Sequence, residues 1–106
     1  MTINPIVILT TCASRKEAGK IAHALLAKRL IACANIIPGV ESIFRWNGKL
    51  DEVKEALLIL KTKRARFAAV KKEIGRIHSY EVPEIIALPI ASGSKRYLQW
   101  IDKSVC

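Results

Sequence analysis

A two-residue turn signal between two long extended segments constrains the fold of this chain more than any other feature. Asn47-Gly48 is the dipeptide most typical of a type I′ β-hairpin turn. Apolar and polar residues alternate from Val40 to Trp46, and the return segment runs from Lys49 to Leu60. Each arm has about a dozen residues, whereas strands usually have about five or six. The sequence therefore predicts a hairpin whose far end projects from a small sheet or contacts another chain.

The dipeptide Pro38-Gly39 interrupts the first arm of this hairpin, after the extended segment from Ile31 to Ile37. Proline removes a hydrogen-bond donor from the strand ladder, and glycine permits a positive φ. A β-bulge or kink is therefore predicted at this position.

The remaining elements follow from local patterns. The β-branched run Ile6–Leu9 predicts a buried strand, and Ser14 with Glu17 has the spacing of a helix capping box. A helix is predicted over residues 15–30, and a second one has an apolar face formed by Phe67, Val70, Ile74 and Ile77. The run Ile85–Leu88 predicts another buried strand, and a short helix follows Gly93-Ser94.

The order of these elements predicts an α+β protein, with residues 1–106 forming one ferredoxin-like domain. Its βαββαβ antiparallel sheet carries the long hairpin, and a short C-terminal helix follows. Both main helices cover one face of such a sheet, which leaves apolar residues of the other face without a third layer. Self-association is the expected way of covering them.

Composition narrows the functional classes. A hydrophobic fraction of 51% excludes a disordered chain, and no apolar run approaches the ~20 residues of a membrane span. The start from Met1 to Pro5 lacks a basic region followed by an apolar one, so no secretory signal and a cytoplasmic location are predicted. The net charge of +9 is compatible with a solvated surface, with anionic small ligands or with nucleic acid.

Three cysteines, Cys12, Cys33 and Cys106, have no C-x-x-C spacing and leave one thiol over. This argues against a disulfide framework and against a structural zinc site. No motif of nucleophilic or acid–base catalysis occurs either, and neither does a phosphate-binding glycine loop. An enzyme is the less favoured class.

Several segments together resemble one known family. They are Thr11-Cys12, Leu30–Gly39 (LIACANIIPG), Ser42–Lys49 (SIFRWNGK), Leu60–Thr62 (LKT), His78–Pro89 (HSYEVPEIIALP) and Tyr97–Trp100 (YLQW). In this order they resemble the CutA family of divalent-cation tolerance proteins over nearly the whole chain. The resemblance implies a ferredoxin-like homotrimer with subunit contacts built by the hairpins, a role in tolerance of copper and other divalent metals, and no catalytic activity.

The predicted topology brings Cys12 and His78 to the same end of the sheet and places Cys33 at the opposite end. Imidazole suits copper and zinc, and a thiolate suits Cu(I), so Cys12 and His78 are the candidate metal ligands. The alternative for His78 is an exposed or capping residue at the end of the second helix. The resemblance implies copper ligands at Thr10, Ile77 and His78, where copper-binding relatives carry cysteine and two histidines. Only His78 matches that set, and Cys12 lies on the same strand face as Thr10.

Other residues have two interpretations each. Glu81 and Glu84 either line a polar pocket at a subunit boundary or form salt bridges, and His23 is interpreted as a partly buried helix residue. Trp46 is predicted at a subunit interface and Trp100 within the chain.

Two alternatives to metal binding stay open. One is a signalling trimer that binds a small anionic ligand in its subunit clefts, by analogy of fold with the PII proteins. The other, ranked last, is nucleic-acid binding.

Overall fold

The computed structural model describes residues 3–106; Met1 and Thr2, where the prediction about a signal segment begins, lie outside this range. The elements in chain order are β1 (Pro5–Cys12), α1 (Arg15–Ala27), β2 (Cys33–Trp46), β3 (Lys49–Lys63), a 3-10 turn (Arg64–Arg66), α2 (Phe67–Ile77), β4 (Ile86–Pro89) and α3 (Lys95–Ser104). The four strands form one antiparallel sheet in the order β2-β3-β1-β4. The predicted α+β, ferredoxin-like order is thereby confirmed.

The capping box of α1 forms with a small variation. The Ser14 hydroxyl accepts the Glu17 amide at 3.1 Å, as predicted. The Glu17 carboxylate reaches back to the amide of Ala13 at 2.9 Å, one residue beyond the usual target. One of the amides that the first turn leaves without a partner, that of Glu17, is satisfied in this way, and so is the amide of Ala13 just before the cap.

Helix α1 ends at Ala27, before the predicted end at residue 30. Arg29 adopts a left-handed conformation with φ of 56°. This lets the Leu30 amide donate to the Leu25 carbonyl, and the Arg29 amide to the Leu26 carbonyl, both at 3.0 Å. These two bonds form a Schellman motif, which usually places glycine at the left-handed position.

The predicted turn and bulge of the hairpin are both present. Asn47 and Gly48 have φ values of 50° and 76°, as a type I′ turn requires. The pairing of β2 with β3 shifts register between Ile37 and Val40, where Gly39 has a φ of 71°. The strands contain 14 and 15 residues.

The outer half of the hairpin projects from the body of the molecule. Strand β1 pairs with β3 only as far as Cys12 opposite Ala56. Residues 40–55, called the arm below, therefore pair only with each other within the described part of the chain. The molecule measures 47 Å along its longest axis, compared with 26 and 22 Å across.

Helices α1 and α2 cover one face of the sheet and enclose the core with it. The largest fully buried apolar side chains of this core are Ile8, Ile21, Leu25, Ile31, Leu58, Leu60, Ile74 and Val70. On the opposite face α3 covers one end of the sheet, where the Lys63 ammonium pairs with Asp102 at 3.1 Å. The centre of that face, with Leu9 and Ile59, is half-buried.

Two predictions about burial are wrong. Strand β4 is exposed along its whole length, with Ile86 and Leu88 about half accessible, because it lies at the edge of the sheet and pairs only with β1 among the described strands. His23 is exposed rather than partly buried, because the buried positions of α1 are Ala18, Ile21, Ala22 and Leu25. Position 23 falls on the other side of the helix.

Candidate functional site

Three side chains with metal-binding chemistry converge at one end of the sheet. The candidate ligand atoms of Cys12, Glu17 and His78 all lie within 4.8 Å of one another. Cys33 is distant, because it pairs with Lys61, five residues along β3 from the partner of Cys12, or roughly 17 Å. The predicted approach of Cys12 to His78 is therefore present, and Cys33 is separate as expected.

His78 is buried and both of its ring nitrogens have hydrogen-bond partners. Nε2 lies 2.8 Å from the carbonyl oxygen of Thr11, which can only accept, so we assign the proton to Nε2. Nδ1 accepts the amide of Tyr80 at 3.1 Å. His78 is also the C-cap residue of α2, and its own amide donates to the Ile74 carbonyl at 2.8 Å. It is a buried capping residue, rather than an exposed one.

Glu17 joins this cluster through its role in the capping box. Its second carboxylate oxygen accepts the amide of Ser79 at 2.8 Å, which ties the start of α1 to the loop after α2. Burial opposes ionisation of Glu17, but hydrogen bonds from Ser79 and Ala13 outweigh it and lower the pKa. The sequence pattern identifies Glu17 only as part of the cap. A capping-box glutamate points back toward the end of β1, and this is the feature that could have placed it in the cluster.

Cys12 is fully buried on the core side of β1. Burial, and then the nearby carboxylates of Glu17 and Glu55, raise the pKa of its thiol to about 12. The thiol is thus protonated at neutral pH. Thr10, on the same strand face, has a buried hydroxyl oxygen with no hydrogen-bond partner among residues 3–106.

The thiol, imidazole and carboxylate of this cluster form a donor set that suits copper or zinc. In the arrangement observed, the imidazole and carboxylate instead hold the loop after α2 against β1 and α1. A metal ion at the ring of His78 has to replace one of its two hydrogen bonds.

A cleft of about 660 Å³ opens beside this cluster, between the arm and the loop of residues 79–84. Its lining residues are Thr11, Ser42, Ile43, Phe44, Trp46, Asp51, Glu55, Ser79, Tyr80, Glu81, Val82 and Glu84. Four of the nine acidic residues of the chain are among them, and no Lys, Arg or His of the described residues is. Glu81 and Glu84 line this cleft, and neither forms an ion pair within residues 3–106; their place at a subunit boundary stays a prediction.

Glu55 and Tyr80 form the buried contact of this cleft. The Tyr80 hydroxyl donates to Glu55 Oε2 at 2.6 Å, a length typical of a hydroxyl bonded to a charged carboxylate. Burial, together with the hydrogen bond and charge of Glu55, raises the pKa of Tyr80 above its ordinary value. Glu55 was not predicted as a site residue, because it lies in a charged part of the arm; the one local signal is that it directly precedes the apolar run from Ala56 to Leu60.

Fold and site together define a ferredoxin-like α+β protein with a projecting hairpin, a buried Cys–Glu–His cluster and an adjacent acidic cleft. The sequence model of the CutA1 divalent ion tolerance proteins matches residues 6–104. The chain belongs to this family.

Individual relatives agree with this assignment. The chain is 47% identical over 98 residues to the divalent-cation tolerance protein CutA of Thermus thermophilus, covering 92% of this chain and 95% of the relative. It is 40% identical over 103 residues to the chloroplastic Protein CutA of Arabidopsis thaliana, covering 97% of this chain. It spans only 57% of that plant relative's own length.

Solved structures show the same fold. CutA1 from Oryza sativa superimposes with a TM-score of 0.96 at 37% identity, covering 99% of this chain and 96% of that one. The Thermus thermophilus protein gives 0.94 at 44% identity, covering 96% and 99%. Within residues 3–106, no helix has both the length and the apolar character needed to cross a membrane.

Proposed function

We propose that this chain acts as a homotrimer in the tolerance of divalent metal ions, and that it does so by binding the metal, copper in the first instance, without catalysing a reaction. The observation that carries this proposal is the convergence of Cys12, Glu17 and His78, whose candidate ligand atoms come from three separate parts of the chain. The family description, divalent ion tolerance, supports the same class of ligand.

Cys12 and His78 are the proposed ligands, with Glu17 as a third donor. A metal ion at Nδ1 of His78 competes with the Tyr80 amide, and a thiolate ligand requires that Cys12 loses a proton. Because the pKa of Cys12 is about 12, each rise in pH below that value increases the thiolate fraction and therefore the affinity. The expected affinity is modest at neutral pH.

Calorimetric titration of Cu(II), and of Cu(I) under reducing conditions, tests the metal site. His78→Ala and Cys12→Ser are each expected to weaken binding at least tenfold, while His23→Ala, an exposed histidine of α1, leaves it unchanged. In the wild type, NMR should show the Tyr80 amide shifting as its hydrogen bond to Nδ1 is replaced. Equal binding by wild type and His78→Ala, with no shift at Tyr80, would remove His78 from the site.

The homotrimer is supported by apolar surface that one chain leaves uncovered. Trp46 on the arm is 48% exposed, and Ile86 and Leu88 of β4 are 47% and 49% exposed. Light scattering should therefore give about three times the formula mass of 11.8 kDa.

We also propose a cytoplasmic location, because the three cysteines do not pair with one another.

A signalling trimer that binds a small anionic ligand is the second candidate, favoured by the net charge of +9. The acidic lining of the cleft opposes an anion there, so we rank it below metal binding. A thermal-shift screen with nucleotides and organic anions tests it, since a ligand of the native state raises the melting temperature. Nucleic-acid binding stays last, and a salt-dependent gel-shift assay tests it.

A further inference from the structure

We propose that the cleft between the arm and the loop of residues 79–84 binds a basic group, an ammonium or a guanidinium, which pairs with the buried carboxylate of Glu55. Two sources can supply this group: a free organic amine, or a Lys or Arg side chain of a second copy of the chain. Only the second source rests on the homotrimer proposed above, and neither source rests on metal binding at Cys12 and His78.

Glu55 is a buried acid that lacks a cation. It is 7% exposed, yet no lysine, arginine or histidine among residues 3–106 forms an ion pair with it. Its only hydrogen bond within those residues joins Oε2 to the Tyr80 hydroxyl, which leaves Oε1 without a partner. Acidic side chains are almost never this buried unless they are paired, because removing a charge from water is costly. Oε1 is not among the fully buried unpaired atoms, so it keeps access to the cleft that Glu55 lines, and a basic group entering the cleft can pair with it.

The rest of the cleft fits an organic cation in charge and in shape. Asp51, Glu81 and Glu84 add three further acids, in a chain whose net charge is +9. The rings of Phe44 and Trp46 lie in the same lining, and aromatic faces attract ammonium and guanidinium groups. The volume of about 660 Å³ is far larger than a single metal ion needs and lies within the usual range for small-molecule sites.

Glu55→Gln is the decisive variant, since it keeps the shape and the acceptor for Tyr80 and removes the charge. Glu52→Gln is its matched control, because residue 52 is exposed on the same strand and points to the opposite face. Agmatine, which carries both an ammonium and a guanidinium group, is the soluble probe. Circular dichroism and thermal unfolding verify that both variants fold.

Calorimetry with agmatine tests the first source. If a free amine is the ligand, the wild type and Glu52→Gln bind agmatine, Glu55→Gln binds it about tenfold more weakly or worse, and the assembly mass is unchanged. Displacement of agmatine by an equal concentration of Mg²⁺ would overturn the proposal, because it would show a site for hard cations instead.

Carbodiimide cross-linking and light scattering test the second source. If a second copy supplies the group, agmatine does not bind. When that group is a lysine, an amide cross-link joins it to Glu55. When it is an arginine, the dissociation of the assembly becomes sensitive to salt. Glu55→Gln then abolishes either signature and raises the dissociation concentration about tenfold or more, whereas Glu52→Gln does not. If neither source gives its expected result, the proposal is wrong. Copper titration of the same variants tests the metal site independently.

Discussion

At the scale of single residues, Arg29 has a backbone conformation that its side chain disfavours. Its φ of 56° closes the Schellman motif after α1, and its carbonyl oxygen accepts the amide of Cys106 at 3.1 Å. A residue with a Cβ atom is strained in the left-handed region, whereas glycine is not. This strained conformation of Arg29 lets the chain turn from α1 toward β2.

We expect Arg29→Gly to stabilise the protein by up to about 1 kcal/mol, because relief of the left-handed strain exceeds the added entropy of the unfolded chain. Ala27→Gly, two residues earlier and still helical, should destabilise it by about 1 kcal/mol. Urea unfolding at one fixed protein concentration measures both changes. A loss of stability in Arg29→Gly would mean that the arginine side chain contributes contacts that outweigh the strain.

Glu73 is a second residue whose contacts affect stability, in this case through the pKa of its carboxyl group. Arg76 donates two hydrogen bonds to it, at 2.9 and 3.0 Å, and the ammonium of Lys28, the residue that follows α1, lies 2.9 Å away. These hydrogen bonds, that of Arg76 first, lower the pKa of Glu73 to about 2. The folded state therefore holds the ionised form more firmly than the unfolded chain does.

Because this pKa is lower in the folded state, the contribution of Glu73 is complete above its unfolded pKa, near 4.5. It is lost as the pH falls from about 4.5 to about 2. Glu73→Gln should thus be less stable than wild type at pH 6, and the difference should vanish near pH 2. Urea unfolding across this range tests it, and a difference independent of pH would assign the effect to packing instead of ionisation.

At the scale of elements, the same residue type has opposite effects in a helix and in a turn. Gly19 lies inside α1, where an added Cβ meets no atom within 4 Å, so glycine there only weakens the helix. Gly48 has a φ of 76° in the hairpin turn, which orients both strands of the arm. The turn needs glycine and the helix does not.

Gly19→Ala is expected to raise the free energy of unfolding by about 0.5–1 kcal/mol, and Gly48→Ala to lower it by about 1 kcal/mol or more. Denaturant unfolding of the two variants at equal concentration gives the comparison. Two changes of the same sign would contradict the conformations assigned to these glycines.

At the scale of the whole molecule, the arm is too long for one chain to cover. Residues 40–55 extend past the last pair of β1 with β3, and they carry Ile43 at 60%, Trp46 at 48% and Leu50 at 65% exposure. Large apolar side chains clustered on a projecting element favour association with another chain. The proposed homotrimer offers such a surface.

Trp46→Glu is therefore expected to raise the dissociation concentration of the trimer at least about tenfold, more than His78→Ala does. Lys49→Glu, directly opposite Trp46 in the arm, separates the effect of added charge from loss of the indole. Light scattering over a dilution series measures both. A trimer that survives Trp46→Glu at low concentration would place the interface elsewhere.

The sequence alone determined the features that depend on neighbouring residues. Asn47-Gly48 specified the turn, Pro38-Gly39 the bulge, and Ser14 with Glu17 the helix cap, because each acts on the backbone within a few positions. The order of elements and the rule for crossovers were enough to bring Cys12 near His78.

Only the tertiary structure decided which groups are committed to long-range contacts. His78 bonds to Thr11 across 67 positions and Glu17 to Ser79 across 62, so the candidate ligands also hold a loop in place. Glu55 is buried beside Tyr80, which bonds to it across 25 positions, and β4 is exposed because it lies at the edge of the sheet. Burial and hydrogen bonding between distant segments depend on how the helices and strands pack in space. The periodicity of a short segment cannot predict this packing, because it reports only on that segment's own conformation.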